Sequence, residues 1–181
     1  MVTLAVVAIA LGLAVPVFTT VTANNRMSTA TNDLVSSLHA ARSEALKRRA
    51  RVVVCATPSD AGRCVAGGSF GHGWMTFVDA NADGQLDAGE AVLHRHGAFD
   101  GPLADGVSAT SAALAFAEDG TLVVDAPLHD FNIQICDGRA DRDTGAGIAA
   151  GRWIQVGGLG RPQLVRTRAA LQSDRNPLGG C

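Results

Sequence analysis

MVTLAVVAIALGLAVPVFTTVTANNRMSTATNDLVSSLHAARSEALKRRA, residues 1–50, is the stretch whose reading decides the fold. Its first charged side chain is Arg26, and the apolar run Leu4–Phe18 passes without a linker into a helical pattern that continues to about Ala50. Beyond Ala23, the residues Met27, Ala30, Leu34, Leu38, Ala41 and Ala45 recur at spacings of three and four, which places them on one face of an α-helix. The other face carries Asn32, Asp33, Ser36, Arg42, Ser43 and Lys47. One long helix is therefore expected, with residues 1–23 as a membrane-embedded half and residues 24–50 as an amphipathic half that lays a narrow apolar stripe on a globular domain. Lys47, Arg48 and Arg49 suit the negative end of its dipole. Pro16 is expected to kink this helix, since neighbouring helices in a membrane or bundle can satisfy the freed carbonyl.

As a helix, Met1 to Phe18 reaches about 27 Å, slightly less than a hydrocarbon core of about 30 Å. No basic segment precedes the apolar run. A secretory signal cut after Val21-Thr22-Ala23 has the required small residues, but the helical stripe continues directly beyond that point, which favours a retained anchor. The short anchor and the missing basic flank lead to the expectation that the true start lies upstream of Met1.

Residues 51–181 read as one β-rich domain. With 21 Gly, 4% aromatic residues and no Tyr, turns are many and the core is modest. The formal net charge of −2 gives no general reason to expect a polyanion partner. After the helix the apolar period changes to two, in runs at 51–56, 73–79, 91–95, 113–116, 121–125, 131–136, 153–156 and 164–167. No second helical pattern of useful length separates them, so hairpins are expected rather than βαβ crossovers. The fold class is α+β: a long N-terminal helix on an antiparallel β domain, arranged as two small sheets. GGSFGHG, residues 67–73, reads as a flexible loop; no Lys-Ser/Thr follows it, which removes a phosphate cradle.

Cys55, Cys64, Cys136 and Cys181 are an even set in a chain whose apolar start directs it into or across a membrane, and none has CxxC spacing. Of the three connectivities open to four cysteines, Cys55 with Cys64 and Cys136 with Cys181 is expected. The first closes a short loop after a strand, and the second tethers a terminus ending in Gly-Gly-Cys. Chain entropy assigns them roughly 2.7 and 4 kcal/mol.

DANADGQLDAGE, residues 79–90, matches the calcium-loop pattern D-x-[DN]-x-[DN]-G-x5-E at every specified position. Asp79, Asn81 and Asp83 would supply side-chain oxygens, Gln85 its carbonyl, Asp87 a contact through water, and Glu90 two carboxylate oxygens, with Gly84 at the sharp turn. The flanks GWMTFV and AVLHRH look like strands, so this is no helix-loop-helix, and the competing reading is an acidic hairpin loop. His94 and His96 share one face of a strand, expected to be solvated rather than metal-binding; His39, His72 and His129 are isolated. Glu118 and Asp119 sit in the turn AEDGT. There is no GxSxG elbow and no HExxH site, and oxidised cysteines offer no thiol nucleophile. Nothing argues for an enzyme or a small-molecule substrate, and no cofactor is required, calcium being the one the loop pattern fits.

MVTLAVVAIALGLAVP, the continuation to RVVVC, GWMTFVDANADGQLDAGE and the late Gly160-Arg161 together resemble the GspH/FimT family of type IV pilin-like proteins over almost the whole chain. That resemblance implies a pilin-like fold and a minor pilin or pseudopilin that helps initiate or cap a type IV pilus or a type II secretion pseudopilus. It implies a single-pass inner-membrane subunit with a periplasmic domain, which meets other pilins through its helix and meets the inner-membrane assembly platform. In the family a prepilin peptidase removes a basic leader and the new N-terminus is methylated. Neither the cleavage glycine nor the glutamate of that start occurs here, which fits a start upstream of Met1. Two cysteines in the C-terminal region tilt the choice toward the pilus branch. Some FimT-like proteins capture DNA through Gly-Arg-x-Arg; this chain has Gly160-Arg161-Pro162-Gln163, with Gln in place of the second Arg. Arg161, Arg166, Arg168 and Arg175 remain a basic tail able to neutralise phosphates, an alternative to solvated surface arginines. A calcium-stabilised adhesive tip subunit, built on the 79–90 loop, is the other alternative.

Overall fold

The computed structural model describes residues 2–58, 62–123 and 130–181, and within the first helix it describes side chains from Phe18 onward. Helix α1 spans Val2–Arg48 and runs through Pro16. Its stripe of Met27, Ala30, Leu34, Leu38, Ala41 and Ala45 is buried, each side chain with 4% or less of its surface exposed. At roughly 1.5–3 kcal/mol for each large apolar side chain removed from water, that stripe holds the helix to the domain. The helix stops where Arg49 turns to a φ of 50°, a left-handed residue that ends the hydrogen-bond ladder.

The chain then builds two antiparallel sheets. Strands β1 (Val52–Ala56), β2 (Trp74–Val78), β3 (Val92–His96), β5 (Ala113–Phe116) and β6 (Leu122–Val123) form the first, in the order β3-β2-β1-β5-β6. Strands β4 (Val107–Ala109), β7 (Phe131–Ile135), β8 (Ile148–Val156) and β9 (Pro162–Thr167) form the second, in the order β4-β7-β8-β9. The α+β class and the two-sheet arrangement expected from the alternating runs are both present. The main core lies where the helix stripe meets one face of each sheet: Val52, Val54 and Phe116 from the first, Phe131, Ile133, Ile135, Ile154 and Val156 from the second. Period-two alternation sends Val53, Cys55, Met75 and Phe77 to the far face of the first sheet. Trp153 and Ala149 go to the far face of the second, where they are covered by Leu171 of the short helix α2 (Arg168–Leu171).

Three expectations change. GGSFGHG is packed rather than flexible: Phe70 is fully buried and meets Phe131 edge to face at 5.9 Å, inside a 3-10 turn over Phe70–His72. A single large ring outweighs the loop composition around it, and Gly71 lies so close under the Ala104 carbonyl that a Cβ would collide with it. Strand β8 is longer than the 153–156 expected, because Ile148–Arg152 joins it across an irregularity in register with β9. The three-residue β4 has too few residues to show an alternation, and only its pairing with β7 reveals it. Residues 124–125 of the strand expected at 121–125, and His129, lie outside the described residues.

Candidate functional site

Leu38 and its stripe face the domain's own core, whereas Phe18 and Val21, on the same helix below it, are 72% and 49% exposed. The boundary between these halves is held by Arg139. Its guanidinium makes three hydrogen bonds to the Asp137 carboxylate and a fourth to the Asn24 side chain on α1. Burial raises the Asp137 carboxyl, but the hydrogen bonds and charge of Arg139 outweigh it and hold the group below the usual carboxylate range. Higher on the helix, Arg42 Nε donates to the Gly120 carbonyl at 2.9 Å. Gly120 ends the β5–β6 turn of the first sheet, and Gly160, in the β8–β9 turn of the second, packs directly over its carbonyl. With φ of +69° and no room for a Cβ, Gly160 is required at that junction. Leu122 N–H to Gly158 O, 3.0 Å, completes the seam between the sheets. Neither Arg139 nor Arg42 stands out in the sequence, because the contacts that matter here, Arg139 to Asn24 and Arg42 to the Gly120 carbonyl, reach groups far away in the chain.

Cys55 is joined to Cys64, and Cys136 to Cys181. The second bridge draws the C-terminus under the end of β7, where Asn176 donates to the Gln134 side chain at 2.6 Å and to the Leu171 carbonyl at 2.8 Å.

The acidic stretch forms the β2–β3 connection. Asp79 is 2% exposed; Gly84 N–H donates to its Oδ2 at 3.1 Å, and Arg51 Nε lies 3.1 Å from the same oxygen. Arg51 Nη1 also donates to the Ala82 carbonyl. Asn81 Nδ2 reaches both Asp83 Oδ2, at 3.0 Å, and Asp87 Oδ2, at 2.9 Å. Gln85 N–H donates to Asp83 Oδ1 at 2.7 Å, and the Glu90 carboxylate accepts from Ala80 and Asp87 N–H. Among the described residues, no group of three or more His, Cys, Asp or Glu side chains is set to hold a metal ion. The loop side chains are instead bonded mostly to one another and to backbone amides.

His94 and His96 do share a face of β3, but they differ in environment. His94 is exposed, while His96 stacks on the buried Trp74 with ring centroids 3.9 Å apart and planes within 5°. His96 Nδ1 meets the Gly97 carbonyl at 2.7 Å, and its Nε2 lies 3.6 Å from Asp33 on α1. The solvated strand face expected from the sequence thus holds for one histidine only, because the ring of His96 finds a flat apolar partner across the strand. His72 pairs with Asp105 at 2.9 Å.

The four tail arginines are all exposed but occupy different places. Arg166 lies on the edge strand β9, whereas Arg161 immediately precedes it. Arg168 opens α2 and Arg175 lies beyond it. Arg166 instead adds its charge to that around Arg152, whose basicity is lowered by burial first and then by the nearby charges of Arg166 and Arg139. The Arg152 guanidinium donates to the carbonyls of Ala149, Ala150 and Gly151, where it braces the irregular start of β8.

Residues 30–160 match the family model described as Type II transport protein GspH. The chain belongs to the GspH family. The GspH match takes in α1 from Ala30 onward, the strands from β1 to β8 and the Arg42–Gly120–Gly160 junction, and ends just before β9. In fold, the chain is similar to the type IV minor pilin FimU of Pseudomonas aeruginosa strain PAO1. In one crystal form of FimU the TM-score is 0.54 with 24% identity, over 78% of this chain and 89% of that one. In a second form the TM-score is 0.51 with 24% identity, over 76% and 91%. No curated protein matches. This GspH-family chain therefore has the role of a minor pilin or pseudopilin, in a family of pilin-like subunits that are in general not enzymes. The comparisons favour neither DNA capture nor an adhesive tip. Among the described residues no helix is long and apolar enough to cross a membrane, and the side chains of the apolar run before Phe18 fall outside that description.

Proposed function

We propose that this chain is held in a bacterial inner membrane by residues 1–23, carries its β domain in the periplasm, and joins other pilins or pseudopilins through α1 to initiate or cap a fibre. The observation that carries this reading is the division of one continuous 47-residue helix. The domain covers the stripe from Met27 to Ala45, while Phe18 and Val21 remain exposed on the same helix. An apolar helical segment that its own domain leaves uncovered needs lipid or other helices around it. A subunit that exchanges lipid for neighbouring helices meets both needs in turn. Such a role asks for positioning and packing, with no reaction step and no small-molecule substrate.

The experiment is deletion of the gene in the bacterium that carries it, with complementation by the intact gene. Loss of surface fibres with secretion intact supports a pilus subunit. Loss of secreted proteins from the medium with fibres intact supports a pseudopilus subunit. A strain normal in both respects contradicts an initiating role.

A further inference from the structure

We propose that the lower end of the β domain, where α1 leaves it, binds the phosphate of an anionic phospholipid through Arg139, Arg152 and Arg166. The inference rests on the membrane anchor proposed above for residues 1–23.

The second sheet brings these side chains together. Arg152 on β8 is opposite Ile135 on β7, and just beyond Ile135 the chain reaches Asp137 and Arg139. Gly151 N–H donates to the Ala140 carbonyl and Ala150 N–H to that of Arg142, so the segment after β7 runs beside the start of β8. On the other side Trp153 is opposite Val165 of β9, which brings Arg166 alongside Arg152. The guanidinium groups are close enough to act on one another: burial first, then the charges of Arg166 and Arg139, lower the basicity of Arg152, while Asp137 acts the other way. Three cations thus share the carboxylate of Asp137, which Arg139 already holds through hydrogen bonds. The neighbouring Asp141 and Asp143 are taken up by backbone amides, of Cys181 in the first case and of Gly145 and Gly147 in the second. Arg166 is exposed and has no carboxylate partner among the described residues. Like charges gathered in this way repel, and an anion from outside relieves the repulsion. A phosphate suits them because the planar guanidinium fork meets two of its oxygens at once.

The height of the cluster along α1 decides which phosphate it meets. Arg139 is bonded to Asn24, which stands about 9 Å of helix above Phe18. The headgroup layer adds about 5–7 Å to each side of the hydrocarbon core. With the exposed Phe18 at the edge of that core, the arginines stand at the outer boundary of the headgroups. The chain between Phe18 and Arg26 carries Thr19, Thr20, Thr22, Asn24 and Asn25, polar and uncharged groups that suit the same layer. Arg161 is placed differently. It precedes the opposite end of β9, beside Gly160, which packs at the level of Arg42, about 27 Å further along the helix than Asn24. Headgroups reach the cluster and leave Arg161 untouched.

The test reconstitutes the purified full chain into vesicles of phosphatidylcholine and phosphatidylglycerol in equal parts. Resistance to carbonate extraction reports insertion, and native mass spectrometry after release in mild detergent counts the lipids that each chain retains. The expected result is an inserted chain that retains phosphatidylglycerol in preference to phosphatidylcholine. Arg166→Gln is expected to lower that ratio by about fivefold, the equivalent of about 1 kcal/mol for one arginine at an anionic surface. Arg161→Gln is expected to leave it unchanged. Both side chains are exposed and both variants lose the same charge, so a general attraction of the domain to anionic surfaces would move the two alike. An inserted chain that retains both lipids equally overturns the proposal and leaves the anchor standing, and so does an equal effect of the two variants. Displacement of phosphatidylglycerol by inorganic phosphate or by a short DNA duplex, where chloride at equal ionic strength leaves it bound, would mark a soluble ligand and overturn it as well. A chain that carbonate extracts from the vesicles contradicts the anchor itself, and the proposal with it.

Discussion

Leu38 and Phe18 lie twenty residues apart on one helix, the first with no exposed surface and the second 72% exposed. The upper half of α1 is tied to both sheets by its apolar stripe and by Arg42, and closed off at its lower end by the Arg139–Asn24 contact. Below that contact the side chains of Phe18 and Val21 are exposed. The difference teaches that continuity of a helix does not imply continuity of its environment: hydrogen bonds within the backbone run through both halves, while among the described side chains the fully buried stripe begins at Met27. The stripe packed on the core belongs to the upper half, and on the proposed reading the lower half is the part that meets other partners.

The sharpest way to break this division is a pair of truncations. Leu38→Ala is expected to lower the unfolding free energy by about 2–5 kcal/mol, through lost burial plus a cavity between helix and sheets. Phe18→Ala is expected to change it by less than about 0.5 kcal/mol. Denaturant unfolding of the full chain in detergent measures both, and equal losses would erase the distinction. Next in size is Gly160→Ala. Its left-handed backbone and its contact with the Gly120 carbonyl make a loss of about 1–3 kcal/mol the expected outcome, with Arg42 displaced as the junction opens.

At the boundary itself, Arg139→Ala removes charged hydrogen bonds to Asp137 and the tie to Asn24, worth about 1.5–3 kcal/mol for a bond to a charged group at full strength and less at this partly exposed site. Hydrogen exchange of the helix around Asn24 should accelerate while the exchange around Leu38 is unchanged. The smallest effect is a pH dependence. Because the Asp137 carboxyl is held low in the folded state, its stabilising contribution is complete above the unfolded value of about 3.9 and is lost as the pH falls through the folded value. Asp137→Asn should flatten the stability profile in that acid window, and an unchanged slope would show that the pair contributes nothing there.

Much of this was legible from residue order. The stripe from Met27 to Ala45 shows its period in full, and the alternating runs locate β1, β2, β5 and β7 to within a residue, because each has a face against the core. Strand β4 and the first half of β8 were not legible. The first is three residues long, and the second reads Ile-Ala-Ala-Gly-Arg, whose small side chains carry no alternation and whose Arg152 is buried by bonding to its own strand's carbonyls. Phe70 was hidden among glycines for the opposite reason, one strong apolar signal amid permissive neighbours. The acidic loop was recognisable by pattern, yet the Arg51 side chain beside it lies outside the pattern and could be found only by folding. The tail arginines looked like one patch in sequence, but Arg161 precedes β9, Arg166 lies on it, Arg168 opens α2 and Arg175 lies beyond.

The central claim is that the lower half of α1 meets other subunits while the upper half meets only its own domain. Site-specific photocrosslinking in living cells tests it most directly, with the crosslinking amino acid placed in turn at Phe18, Val21 and Leu38. The account predicts adducts to other pilin-like subunits from positions 18 and 21, and only an intramolecular product from position 38. Adducts to other subunits from position 38, or none from 18 and 21 in cells that assemble fibres, would contradict it.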